Sequence, residues 1–206
     1  MLNQQREVPL EHYRGAYRDM DPEESARRTA VPFDARLGRF TLEAFGHALY
    51  AAWPEFELLP ADGIDRPATL CTFQMQILVM RFLLEGAYAP RDGAFKAYRE
   101  LPWGDVYDAN FRGHCITRLA SIFGRNFGAF IKAAEAVGGT RLGLGDVSFD
   151  IPFLGGVVCR LILWGPDEEF PPSAQFLFSG NTPAAFNAED LAVVGDVVIR
   201  AMKEYI

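Results

Sequence analysis

Val147-Ser-Phe-Asp-Ile-Pro-Phe153, Leu154-Gly-Gly156, Val157-Val-Cys-Arg-Leu-Ile-Leu-Trp164, Gly165-Pro-Asp167-Glu168-Glu169-Phe170-Pro-Pro-Ser173 and Ala174-Gln-Phe-Leu-Phe178 follow one another without a break. The runs 147–153 and 157–164 are short, apolar and rich in β-branched and aromatic residues. The Leu-Gly-Gly between them can supply the backbone that a tight reversal needs, so the two runs predict a β-hairpin. Ala174 to Phe178 predicts a third strand. Three consecutive carboxylates therefore fall in the connection between two strongly apolar strands.

Helices flank this β region on both sides. Downstream, Asn187-Ala-Glu-Asp190 is a helix start, with a capping Asn and an acid three residues later. Leu191, Val194, Val198, Met202 and Tyr205 then recur on one face, with Asp196, Arg200 and Glu204 opposite at pairing distance. Upstream, Thr69 to Glu85 is apolar nearly all round and predicts a central helix closed by Gly86. Asp105 to Phe123 and Asn126 to Val137 predict two more helices, interrupted at Gly124. Near the N-terminus, residues 6–20 predict a first helix, and Asp21-Pro22-Glu23-Glu24 starts a second. Arg39 to Phe45 and Ala48 to Trp53 alternate loosely as paired strands do, and Glu55 to Leu59 and Phe95 to Leu101 predict short extended pieces. No linker, charge block or repeat divides the chain. The expectation is one α+β domain over residues 1–206, an antiparallel sheet packed by several helices.

The chain has 206 residues, half of them apolar, and a net charge of −7. Residues 146–206 carry most of that negative charge. Nucleic acid needs a basic footprint, and anionic membranes attract basic segments, so both are excluded as partners. Residues 1–7 have no apolar run of the kind a secretion signal requires. The apolar run from Ile77 to Leu84 is broken by Arg81 and too short to span a bilayer. A cytoplasmic location is expected. Cys71, Cys115 and Cys159 are odd in number and dispersed, which does not suggest a disulfide framework; each sits among apolar residues and is read as a small buried hydrophobe.

Several chemistries lack their sequence signatures. There is no phosphate-binding Gly-x-x-x-x-Gly-Lys loop, Gly-x-Gly-x-x-Gly turn, His-Glu-x-x-His, Cys-x-x-Cys or Gly-x-Ser-x-Gly elbow. His12, His47 and His114 are far apart in unlike contexts. No catalytic residue, metal ligand or cofactor is assigned.

The strand ending in Trp164, the box Asp167-Glu-Glu-Phe-Pro-Pro-Ser173, the Phe176-Leu-Phe178 strand and the capped last helix together resemble the prokaryotic domain of unknown function 3786 family. Tyr98-Arg-Glu-Leu-Pro-Trp-Gly104, Tyr107, Phe111, Phe123-Gly124 and Gly138-Gly139 appear in the family's order, as do an N-terminal Tyr-containing helix and the apolar helix after Thr69. The resemblance covers most of the chain, and the acidic box is its specific part. It implies a protein of anaerobes, working near low-potential redox or corrinoid-type cofactor chemistry. Some relatives carry a cysteine-rich iron–sulfur segment that this chain lacks.

The residues give three readings of Asp167, Glu168 and Glu169. They form a solvated loop, or they anchor the turn by capping amides or pairing with a base, or they converge on a hard cation or substrate beside Trp164. Arg112, His114, Arg118, Arg125 and Lys132 lie in a stretch without acids, so pairing of Arg112 or Arg118 with the box or Asp146 is expected. The same bases could instead grip an anionic ligand. The candidate ligand-binding set is therefore Trp164, Asp167, Glu168, Glu169, Arg112, His114 and Arg118. The leading functional expectation is a binding or accessory protein, with a small molecule or protein as partner. The alternatives are a metal-assisted hydrolase or lyase using the three carboxylates, and an obligate subunit of a larger complex. The sequence leaves the oligomeric state open.

Overall fold

The structure, a computed structural model, describes residues 7–61 and 66–206. Met1 to Arg6, and with them the start of the first predicted helix and the stretch tested for a secretion signal, lie outside it. So do residues 62–65, between the extended piece ending at Leu59 and the helix predicted from Thr69. Helices pack on antiparallel β-structure, so the fold class is α+β, but the strands divide into two sheets where the sequence suggested one.

The first sheet holds β1 (Phe33–Asp34), β2 (Arg39–Ala44), β3 (His47–Ala52) and β4 (Leu58–Pro60) in that order. In β2, Phe40, Leu42 and Ala44 are buried while Thr41 and Glu43 are exposed, the alternation of a strand with one dry face. The β2–β3 reversal falls on Phe45 and Gly46, both at positive φ (54° and 73°), as a two-residue hairpin turn matching the strand twist requires.

The second sheet runs β5 (Phe95–Ala97), β9 (Ser173–Ser179), β8 (Val158–Trp164), β7 (Val147–Pro152) and β6 (Thr140–Leu142). The predicted 147–164 hairpin forms β7 and β8, with its reversal as a short 3-10 turn over Leu154–Gly156. Phe149 faces Leu161 and Leu161 faces Phe176, so one register row carries three core side chains across the sheet. On the opposite face Asp150 and Arg160 are cross-strand partners, and the guanidinium grips both carboxylate oxygens at 2.8 and 2.9 Å.

The helices are α1 (Glu7–Asp19), α2 (Pro22–Thr29), α3 (Phe73–Glu85), α4 (Gly104–Phe111), α5 (Arg118–Phe123), α6 (Phe127–Ala136), α7 (Thr182–Ala185) and α8 (Ala188–Lys203). Helix α3 is central, as its all-round apolarity predicted, with Met75, Leu78, Val79, Met80, Phe82 and Leu83 buried. It starts later than predicted because residues 68–71 form a separate 3-10 turn and Thr72 caps the helix proper. The caps read from sequence are in place: Asp21 accepts from the amides of Glu23 and Glu24, and Asn187 and Asp190 form a reciprocal box. Asn126 adds a cap of its own, accepting from the Ala129 amide. Gly86 ends α3 in an extended conformation. It is glycine because a Cβ there would lie 2.6 Å from the Ala185 carbonyl oxygen, not because of a left-handed turn.

The predicted 105–123 helix is broken by a π turn over Arg112–Thr117 between α4 and α5. This turn packs against α8 at Gly195, where a Cβ would meet Cys115 Sγ and Phe111 Cε2, each at 2.8 Å. Tyr98 stacks on Phe111 with centroids 4.3 Å apart and donates to the Ala188 carbonyl at 2.8 Å. Cys115 and Cys159 are buried as expected, but Cys71 is exposed: it ends the 3-10 turn ahead of α3 and falls outside that helix's buried stripe.

The sheets meet at Phe45. The Phe45 amide donates to the Pro152 carbonyl at 3.3 Å, and the Phe45 and Phe153 rings lie 5.5 Å apart. Phe153 continues to Phe186 and Phe186 to Phe82, carrying the core from the first sheet through the hairpin turn to α3. Among the described residues no helix is long and apolar enough to cross a membrane.

Candidate functional site

The acidic box lies in the loop joining β8 to β9, whose ends are fixed because Trp164 and Ser173 are cross-strand partners. Asp167 closes the loop on itself. Its Oδ1 accepts from the amides of Glu169 (2.8 Å) and Phe170 (2.7 Å), and its own amide donates to the Phe170 carbonyl at 3.1 Å. This is a side-chain-closed turn of the kind Asp favours. Asp146 braces the same end, accepting from the Gly165 amide at 2.8 Å. Glu168 and Glu169 are exposed. Among the described residues, no group of three or more His, Cys, Asp or Glu side chains is placed to hold a metal ion.

The expected pairing of the box with a base is overturned. Among the described residues no ion pair joins Asp146, Asp167, Glu168 or Glu169 to Arg112 or Arg118. Arg118 instead binds Asp196 of α8, which also takes Arg200 at 2.9 Å. The Asp196 carboxylate sits on α8, the helix that the 112–117 turn packs against, and there it takes Arg118. Anchoring of the turn is real but runs through backbone amides. His114 and Arg112 are exposed on the π turn. Of the predicted bases, Arg112 and Arg125 border the segment following the box, in a groove with Pro171, Pro172 and Ser173. Of the seven, Arg112 lines this groove, Arg118 is held by Asp196 and Asp167 closes its own turn.

A cleft of about 850 Å³ lies elsewhere, between the two sheets. One wall is the edge of β2. β1 covers that edge only as far as Thr41, whose amide donates to Pro32 at 2.9 Å, so the strand edge at Glu43 opens into the cleft. The facing wall is the β7–β8 turn, with Phe153, Val157 and Val158. Tyr88 and Arg91, both exposed, stand at the rim.

The floor is held by Asn181. Its amide donates to the carbonyls of Ala89 (3.0 Å) and Gly156 (3.3 Å), and its oxygen accepts from Ser179 Oγ at 2.6 Å. Ser179 Oγ in turn accepts from the Val158 amide at 2.9 Å. Every polar group of this buried knot is partnered, so it fixes three chain segments around the cleft and leaves none of its own groups reactive. Glu43 and Arg91 form no ion pair with each other. The cleft therefore offers apolar walls, an open strand edge and, at the rim, Arg91, which enters no ion pair among the described residues. It contains no nucleophile with an adjacent base. Sequence reasoning missed it, because its residues come from five separated segments and no local motif marks any of them.

An α+β architecture of helices on two antiparallel sheets, with a cleft at their junction, is what the fold and geometry define. The model of the family described as Domain of unknown function (DUF3786) matches residues 21–201, and the chain belongs to that family. No curated protein and no solved structure matches the chain.

Proposed function

We propose that the protein is a non-catalytic binding protein whose ligand occupies the cleft between the sheets. The supporting observation is the cleft itself, at about 850 Å³ large enough for a small molecule, apolar in its walls and lined without converging acid–base groups. The setting we propose is the one implied by family resemblance, service to redox or corrinoid-type cofactor metabolism in anaerobes. The hydrolase or lyase reading needed at least two box carboxylates converging on a pocket. Asp167 is spent on closing its own turn, and Glu168 and Glu169 line neither this cleft nor the groove beside Arg112.

The test uses 1-anilinonaphthalene-8-sulfonate, an apolar body with one negative charge, which suits apolar walls beside Arg91. The wild-type protein is expected to bind it saturably at one site. Ala48→Trp, which places a ring into the cleft from an exposed position of β3, abolishes the signal while far-UV circular dichroism is unchanged. Binding that survives Ala48→Trp, or no saturable binding by wild type, overturns the proposal. Native mass spectrometry of protein purified without oxygen would then identify the natural occupant.

A second reading has one observation in its favour. Trp103 is 77% exposed, and Val106 and Tyr107 are exposed on the same turn of α4. An apolar ring so uncovered suits an obligate subunit. Sedimentation with and without Trp103→Ser tests whether that face joins two chains.

A further inference from the structure

We infer a second, separate site: the groove between the π turn, α5 and Pro171-Pro172-Ser173 binds a small phosphate ester, its dianion held by Arg112 and Arg125. The groove is about 490 Å³ in volume and is lined by both arginines and by Thr117, Ser121 and Ser173 over a floor that includes Ile116. Arg112 and Arg125 are exposed and enter no ion pair among the described residues. Two unpaired guanidiniums facing one groove, in a chain of net charge −7, are a local exception to its charge balance. Guanidiniums match phosphate oxygens with paired N–H donors, and hydroxyls can complete the shell.

The π turn is what assembles this wall. In an unbroken α-helix each residue advances about 100°, so Arg112 and Ser121, nine residues apart, would point about 180° away from each other. An i→i+5 turn accommodates one extra residue, which brings them to within about 80°. The winding fault thus turns Ser121 toward the groove that Arg112 borders. The opposite wall is also built for closeness. At Gly124 a Cβ would sit 2.4 Å from Pro172 Cβ, so only glycine lets the Pro-Pro segment lie against α5. The acidic box then has a structural role: its closed turn delivers Pro171, Pro172 and Ser173 to this position.

The dianion is preferred over a monoanion because two separate guanidiniums must be neutralised. The ester is preferred over free phosphate because Ile116, Ala120 and the two prolines give a carbon body something to cover.

Phenyl phosphate, inorganic phosphate and benzoate, titrated into wild-type protein by calorimetry at low salt, separate these elements. Phenyl phosphate is expected to bind most tightly, weakening as salt rises. Arg112→Gln and Arg125→Gln each cost about tenfold or more in affinity, the loss of a charge-assisted contact. Both side chains are exposed, so circular dichroism and melting temperature should not move. Ala48→Trp, in the other cleft, leaves phenyl phosphate affinity unchanged. Absence of saturable binding of phenyl phosphate at millimolar concentration overturns the site, as does equal affinity in the Arg112→Gln/Arg125→Gln double variant. Benzoate binding as tightly as phenyl phosphate overturns the dianion assignment.

Discussion

Arg81 of α3 and Asp190 of α8 form an ion pair at 3.1 Å that water scarcely reaches, with side chains 15% and 8% exposed. Burial is the main influence on Asp190 and pushes its carboxyl up to about 6; Arg81, and then the Asn187 amide, pull the other way without cancelling it. Between pH about 4 and about 6 the folded protein therefore keeps a proton that the unfolded chain has released. That contribution to stability is complete below pH 4 and is lost as pH rises through 6. Urea unfolding of wild type should show a component of roughly 3 kcal/mol falling over this window. Asp190→Asn, which cannot ionise, removes that component; an identical pH profile in the variant contradicts the assignment.

The thiols should react unequally. Cys115 is pushed up to about 12, chiefly by burial, and Cys159 is raised by the same cause, whereas Cys71 is exposed. A thiolate is the reactive species, so a disulfide reagent at pH 8 should modify one thiol in the native protein and three after denaturation. Cys71→Ser should leave no fast-reacting thiol.

The acidic box should prove mechanically modest. Glu168→Gln and Glu169→Gln are expected to change stability by less than about 0.5 kcal/mol, as exposed substitutions do. Asp167→Ala should cost about 1 kcal/mol through its two lost amide contacts. Millimolar magnesium or calcium should leave the melting temperature of wild type unmoved. A rise of several degrees would return the carboxylates to candidacy as a metal site.

Two glycines near one helix crossing should respond in opposite directions. Gly195→Ala drives a methyl against Cys115 and Phe111 and should cost about 1–3 kcal/mol. Gly113, in the π turn, has nothing within 4 Å of where a Cβ would stand, so Gly113→Ala should be neutral or stabilising by up to about 1 kcal/mol. Thermal melts of the two variants against wild type decide both.

Glu204, just past the end of α8, holds the 3-10 turn before α3, accepting from the Ala68 amide, the Thr69 amide at 2.9 Å and the Thr69 hydroxyl. The sequence had offered it as an Arg200 partner, but Arg200 takes Asp196. Glu204→Ala should cost about 1–3 kcal/mol, since Thr69 is buried and its donors would lose their acceptor. Chemical denaturation measures it.

What could be read from the sequence was what depends on neighbours along the chain. The 147–164 hairpin, the caps at Asp21 and Asn187, and the central place of α3 all follow from local pattern. β1 and β6 went unseen because strands of two or three residues have no period to detect. The π turn was invisible because Arg112 to Thr117 reads as ordinary helix, and only packing against Gly195 and its surroundings makes the extra residue visible. The box was correctly placed between two strands, but its partners were misjudged: charge complementarity named Arg118, and proximity gave Arg118 to Asp196. The cleft could not be read at all. It is a space left where β1 stops short of β2's end, and sequences describe matter, not gaps.

The meeting of the sheets at Phe45 and Phe153 also sets what an occupant of the cleft could transmit. The two walls are tied at one corner, by the Phe45–Pro152 hydrogen bond and the ring contact beside it, while the far side is open at Tyr88 and Arg91. Such a geometry is a wedge with a pivot. From that corner the ring contacts run on through Phe153 and Phe186 to Phe82 of α3, so the pivot and the central helix belong to one aromatic chain.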